Sequence, residues 1–174
     1  AFEIAGLNFR GNQTEFNKVY GNKLSINKLP LHTDFIDNIF IDAWNVLLKG
    51  NKDNNFESSL TFEMISRLAE YLIIKNRYIK KAIEMTYSHV FLDEFQDTTS
   101  IQYDLVKACF FKTETIITAV GDGKQRIMLW AGARKSIFED FQNDFFSQKI
   151  TLIMNHRSAP RLVEIQKAMY NILN

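Results

Sequence analysis

Cysteine is almost absent. Cys109 is the single thiol in 174 residues, which excludes an internal disulfide framework and a multi-thiolate zinc site. Histidine is nearly as scarce, and His32, His89 and His156 show no metal-ligand spacing. No apolar run approaches the ~20 residues that cross a bilayer, and no basic segment followed by an apolar one opens the chain. The expected compartment is therefore the cytoplasm, with no membrane partner. Charge of one sign is not in excess either: 21 Lys and Arg against 20 Asp and Glu leave a net +1. That excludes a coat that holds nucleic acid by bulk charge, so any such contact has to be local.

What is present points to a folded domain. Hydrophobic residues make up 46% and aromatic residues 13% of the chain, too much for a disordered one. The length suits one ordinary domain, or a domain plus part of another. The first third stands apart, because ten of the 15 asparagines lie between Asn8 and Asn55, with Gly6, Gly11, Gly21 and Gly50 among them. Such a composition favours turns and short elements. One helix is expected there, from about Thr33 to Leu48, on the spacing of Phe35, Ile36, Ile39, Phe40, Ala43, Trp44, Leu47 and Leu48.

Beyond Phe56 the pattern is regular. A helix is expected from Thr61 to about Glu84, with Ile65, Leu68, Ala69 and Leu72 inward and a break near Asn76. Val90-Phe91-Leu92 suits a buried strand, Ser100–Phe111 a helix, Thr115–Val120 a strand, Ser136–Phe146 a helix and Ile150–Met154 a third strand. Ser158 is placed to cap a last helix running to Leu173, with Pro160 in its first turn. This alternation predicts an α/β fold in which helices cover a parallel sheet. Ligands of such sheets bind beyond the carboxyl ends of the strands.

Polar clusters stand at those ends. Asp93-Glu94-Phe95-Gln96-Asp97-Thr98 follows the first strand. One carboxylate of an adjacent pair can hold Mg²⁺, which prefers hard oxygen ligands, while the other orients and deprotonates a water. A solvated acidic turn is the plainer alternative. Gly121-Asp122-Gly123-Lys124-Gln125 follows the second strand. It is not a phosphate-binding P-loop, because Gln125 stands where Ser or Thr is required and no glycine lies five positions before Gly123. A sharp loop presenting Gln125 is the better reading, and a neutral amide there can hydrogen-bond a terminal phosphate. Trp130, within Trp130-Ala131-Gly132-Ala133, is suited either to packing or to stacking on a base, with Arg126 and Arg134 flanking it and placed to meet a phosphate backbone, so that Trp130 and Arg126 are the candidate DNA-binding residues. Asn155-His156-Arg157-Ser158 opens the last helix, where Arg157 suits either a phosphate or a surface carboxylate. Cys109 and the Phe138–Phe146 stretch fit core packing better than chemistry.

Taken in order, these segments resemble the UvrD/Rep/PcrA-type superfamily 1 DNA helicases. Phe91 to Thr98 is similar to motif II (Walker B), Ala119 to Ala133 to motif III, and Asn155-His156-Arg157-Ser158 to motif IV, usually Asn-Tyr-Arg-Ser. The resemblance covers roughly Phe56 to Leu173 and leaves the first third unplaced. It implies that Asp93 coordinates the Mg²⁺ of ATP and that Glu94 is the general base. It implies also that Gln125 contacts the γ-phosphate, that Trp130 stacks on single-stranded DNA near Arg126, and that Arg157 reaches the γ-phosphate.

The departures from the family are informative. No Walker A sequence precedes Asp93, and motifs V and VI are absent. Ala131 stands where Arg is usual, His156 where Tyr is usual, and Met128 replaces an aromatic residue. The expectation is an interior piece of a longer ATP-dependent helicase, inactive alone and partnered by the rest of its own chain and by single-stranded DNA and its junctions with duplex. Residues 1–55 would be part of a helical 1B-type insert, residues 56–147 the second half of a RecA-like P-loop NTPase domain 1A, and residues 148–174 the junction into a second motor domain. The alternative is a degenerate module of the same fold that binds single-stranded DNA or a protein without hydrolysis.

Overall fold

The computed structural model describes residues 2–4, 7–9, 22–31, 38–50 and 57–173. Strands β1 (Phe2–Ile4) and β2 (Leu7–Phe9) pair antiparallel. Helices α1 (Asn22–Ser25) and α2 (Asn38–Lys49) follow. Then come α3 (Phe62–Lys75), α4 (Arg77–Thr86), β3 (His89–Leu92), α5 (Ser100–Phe110), β4 (Ile116–Ala119), α6 (Ile137–Phe145) and α7 (Pro160–Leu173). Short 3₁₀ turns cover Phe95–Asp97 and Leu129–Ala131. Among the described residues no helix is long and apolar enough to cross a membrane.

The β3–α5–β4 unit is the parallel crossover that the sequence predicts, with His89 opposite Ile116 and Leu92 opposite Ala119. Both strands therefore end at the same edge. Thr99 and Gln102 form a capping box at the start of α5: the Thr99 N–H donates to Gln102 Oε1 (2.9 Å) and the Gln102 N–H to Thr99 Oγ1 (3.3 Å). One face of the strand pair, carrying Leu92, Ile117 and Ala119, packs on Phe95, Tyr103, Ile137 and Phe141. The other face is open, with Phe91 73% exposed. The expectation of a buried strand is thus corrected: Val90 and Leu92 are partly covered, and His89 and Phe91 on the other face are exposed.

The predicted break at Asn76 is real and has a clear cause. The Asn76 N–H donates to Leu72 O (2.9 Å) and ends α3, while its Oδ1 accepts from the Tyr78 N–H (3.0 Å) and starts α4. The inward face of α3 differs from the expectation. Met64, Arg67, Glu70 and Ile73 are buried, whereas Ile65 and Leu72 are about half exposed. Arg67 makes this possible. It donates to Glu70 Oε2 (2.7 Å), Asp104 Oδ2 (2.8 Å) and the carbonyls of Ser25 (2.7 Å) and Ile26 (3.4 Å). Lys28 Nζ approaches Glu70 Oε1 at 3.1 Å and Asp104 Oδ1 at 3.3 Å, so two cations meet two anions. Burial works against the Arg67 charge, but the bonds to Asp104 and Glu70 outweigh it and raise its pKa.

A second cluster joins the early helices to α3: Leu24, Ala43, Trp44, Leu47 and Met64 are buried together. The Trp44 indole N–H donates to Leu24 O (2.6 Å) and so satisfies a helix-end carbonyl. The helix expected from Thr33 runs as α2 from Asn38, and its first predicted turn, with Phe35 and Ile36, lies outside the described residues. Cys109 is half-buried on α5, and burial pushes its thiol above the ordinary value, in keeping with a packing role. On the same helix Tyr103 is fully buried and donates to Asp144 Oδ2 (2.8 Å); Lys107 pairs with that same oxygen and holds the Asp144 carboxyl below the ordinary range.

Two expectations near the end of the chain are corrected. Ile150–Met154 forms no strand, and Ile150, Leu152, Ile153 and Met154 are 70–90% exposed. A β-branched, apolar run becomes a strand only when a neighbour takes its backbone hydrogen bonds. Ser158 does not cap α7 either. Its hydroxyl accepts from Asn155 Nδ2 (3.3 Å), and the helix starts at Pro160 with the Ala159 carbonyl accepting from the Leu162 N–H (2.9 Å).

Candidate functional site

Parallel register brings two loops to one edge of the sheet. Asp93 follows Leu92, and Gly121 lies just beyond the end of β4. The pairing continues into the loops, since the Val120 N–H donates to Leu92 O (2.8 Å) and the Phe95 N–H to Val120 O (2.9 Å). Asp93 and Glu94 are exposed, while Phe95 and Gln96 are 1% and 2% exposed. The alternation follows from the turn itself, in which Phe95 enters the aromatic cluster and the two acids face outward. Phe95 meets Phe138 and Phe141 edge-on at 5.6 and 5.2 Å between centroids.

Glu94 adopts a left-handed backbone, with φ 47° and ψ 40°. For a residue with a Cβ this costs about 1–2 kcal/mol. Its N–H donates to Asp93 Oδ1 (2.9 Å), which fixes the two acids relative to each other. Non-glycine residues in such strained conformations cluster at functional sites.

A hydrogen-bond chain links the acids to the glutamine loop. Gln96 Nε2 donates to Glu94 Oε2 (2.7 Å), and Gln96 Oε1 accepts from the Asp122 N–H (3.0 Å). Asp122 Oδ2 accepts from Gln125 Nε2 (3.1 Å), and Asp122 Oδ1 from the Lys124 N–H (2.9 Å). Glu94 and Gln125 are thus three hydrogen bonds apart, two between side chains and one from the Asp122 backbone N–H. Gly121 allows the approach, because a Cβ there would stand 2.3 Å from Gln96 Oε1 and 3.0 Å from the Phe95 nitrogen. Gln96 bore no role in the sequence reading. Its only mark there is being the one neutral amide between Glu94 and Asp97 in an acidic string.

The remaining predicted residues lie outside this chain of bonds. Trp130 is 84% exposed on the turn Leu129–Ala131. That turn is anchored behind the site, since Thr99 and Ala133 form an antiparallel bridge and the Arg134 N–H donates to Thr98 O (3.0 Å). Arg126 is half-buried, and its Nη1 donates to Lys135 O (2.5 Å), so it ties together the two ends of the segment that carries Trp130. Arg134 pairs with Asp140 (2.5 Å) and lies over the Tyr103 ring, 5.2 Å from its centroid. Arg157 is exposed in a local turn, where Asn155 Oδ1 accepts from the N–H groups of Arg157 and Ser158, each at 3.0 Å.

The acids suit a hard cation only in part. Asp93 is exposed and offers carboxylate oxygens, but no group of three potential protein ligands stands together among the described residues. Mg²⁺ commonly keeps waters and substrate phosphates as most of its ligands, so one or two carboxylates fit it.

Comparison with known proteins identifies the family of the chain. Residues 8–146 match the UvrD/REP helicase N-terminal domain family. The match begins well inside the first third, which no motif had placed, and stops before Asn155. A probable DNA helicase II homolog of Mycoplasma capricolum is 32% identical over 126 residues, 71% of this chain and 16% of that protein. DNA helicase II of Haemophilus influenzae is 35% identical over 101 residues, 58% of this chain and 14% of its own length. The ATP-dependent DNA helicase Rep of Escherichia coli is 33% identical over 106 residues, 60% of this chain and 16% of its own. The chain thus spans less than a fifth of these relatives. With the family matched across most of its length, the chain belongs to the UvrD/REP helicase N-terminal domain family.

Proposed function

We propose that this chain is part of an ATP-dependent DNA helicase or translocase that couples ATP hydrolysis to movement along single-stranded DNA and to duplex unwinding. The observation that carries the reading is the bonded path from Glu94 through Gln96 and Asp122 to Gln125, at the aligned ends of two parallel strands. In this reading residues 56–147 are the second half of a RecA-like ATPase domain, residues 1–55 belong to a helical insert, and residues 148–174 lead into a second motor domain. The small fraction of each relative that is covered supports a longer functional protein.

Each residue has a defined task. Asp93 holds Mg²⁺, which when bound neutralises charge on the phosphates. Glu94 accepts a proton from the attacking water and orients its lone pair. Gln125 hydrogen-bonds the terminal phosphate through its amide, and its bond to Asp122 lets the loop register whether that phosphate is present. Arg157 supplies a second positive contact once its segment closes on the site. Trp130, exposed on an anchored turn, stacks on a base of single-stranded DNA, a contact worth about 1–3 kcal/mol per base, and Arg126 beside it meets the phosphate backbone.

A steady-state ATPase assay with and without single-stranded DNA tests this reading. The full-length polypeptide is expected to hydrolyse ATP faster when DNA is added. The 174-residue chain alone is expected to show no turnover dependent on Glu94, because its sequence contains no G-x-x-x-x-G-K-[ST] cradle. A full-length polypeptide that binds single-stranded DNA without hydrolysis favours the degenerate binding module instead.

A further inference from the structure

We infer that Gln96 is a positioning residue for the hydrolytic carboxylate: its buried amide fixes the direction of Glu94 through Nε2 and ties that direction to the glutamine loop through Oε1. The inference rests on Glu94 being the general base, and extends that reading to a residue with no assigned role.

The amide has only one workable orientation. Glu94 Oε2 is a carboxylate oxygen and needs a donor, while the Asp122 N–H needs an acceptor. Only Nε2 toward Glu94 and Oε1 toward Asp122 satisfies both. Gln96 is 2% exposed, so water does not substitute readily for either bond. The side chain is also confined sterically, since its Oε1 occupies the space that a Cβ on Gly121 would take. Glu94, by contrast, is exposed and mounted on a left-handed backbone. Without the bond its carboxylate would sample several rotamers, and a general base has to stand within about 2.6–3.2 Å of the proton that it takes. Movement of Asp122, through its bond to Gln125, is passed to Glu94 by the same amide. Asp93, Asp97 and Asp122 are the other acids around this turn, and none of them can donate the hydrogen bond that Gln96 supplies while ionised.

Two variants of the full-length polypeptide separate positioning from simple bracing. Gln96→Met removes both bonds. Gln96→Glu keeps an acceptor for the Asp122 N–H and, assayed at a pH high enough to ionise it beside Glu94, removes the donor to Glu94. Three quantities are read: kcat for ATP, the Kd of ATP in the presence of EDTA-free Mg²⁺ buffer, and the hydrogen-exchange rate of the Asp122 amide. With Gln96→Met, kcat is expected to fall about 10–100-fold and the Asp122 amide to exchange faster. With Gln96→Glu the amide is expected to keep its protection while kcat stays low, and Kd for ATP is expected to change little in either variant.

Wild-type kcat in Gln96→Glu would overturn the inference by reducing Gln96 to a brace for the loop, and wild-type kcat in Gln96→Met would overturn it outright. Should Gln96→Met fail to fold, the near-isosteric Gln96→Glu still decides the matter. Glu94→Gln in parallel tells the two levels apart. If it abolishes turnover while both Gln96 variants are normal, only the positioning role fails; if it leaves turnover intact, the general-base reading fails and the positioning role with it.

Discussion

Replacing Glu94 by Gln in the full-length polypeptide is expected to lower kcat for ATP hydrolysis by about 10²–10⁴-fold, the usual loss when a general base is removed. The substitution is nearly isosteric. It leaves an amide oxygen to accept from Gln96 Nε2, so the hydrogen-bond path to Asp122 and Gln125 survives. Asp93 is untouched, and ATP affinity should therefore hold within a few-fold. The pattern to look for is a collapse of kcat with retained binding, which marks an interaction made in the transition state rather than in the ground state. Measured by phosphate release and by titration with a fluorescent nucleotide, a kcat within threefold of wild type would remove Glu94 from the chemistry.

The second large effect concerns stability. Arg67→Ala is expected to destabilise the fold by about 3–5 kcal/mol, because it leaves Glu70 and Asp104 facing each other with only Lys28 to balance them. Arg67 is 4% exposed, and it also satisfies the carbonyls of Ser25 and Ile26, which tie the early chain to α3 and α5. Lys28→Ala is the control. Its side chain is 60% exposed, so the loss should stay below about 1 kcal/mol. Urea unfolding of both variants checks the contrast through their midpoints. Equal midpoints would mean that the buried network contributes no more than a surface pair.

These two sites show what a sequence does and does not reveal. The β3–α5–β4 crossover and the break at Asn76 were legible because they rest on local chemistry: apolar runs of strand length, and an Asn able to end one helix and start the next. The acidic pair and the glutamine loop were legible as residue types at strand ends. Their connection was not, because it depends on a parallel register that aligns Leu92 with Ala119. The inward face of α3 was misread for a related reason. Periodicity looks for apolar residues, and this helix turns Arg67 and Glu70 inward, where partners from Asp104 and Lys28 neutralise them. Ile150–Met154 failed in the opposite way: its composition suits a strand, yet strand formation needs a neighbouring edge, which composition cannot report. The first third shows the limit of motif reading, since the family match starts at residue 8 although no recognisable motif lies there.

The central claim is that the turn after β3 and the loop after β4 together face the terminal phosphates of ATP. Hydrogen exchange of the full-length polypeptide, with and without a non-hydrolysable ATP analogue and Mg²⁺, tests it most directly. The account predicts that added nucleotide slows exchange at residues 93–96 and 121–125 together. Slowed exchange elsewhere in the polypeptide, with both of these segments unchanged, would contradict it.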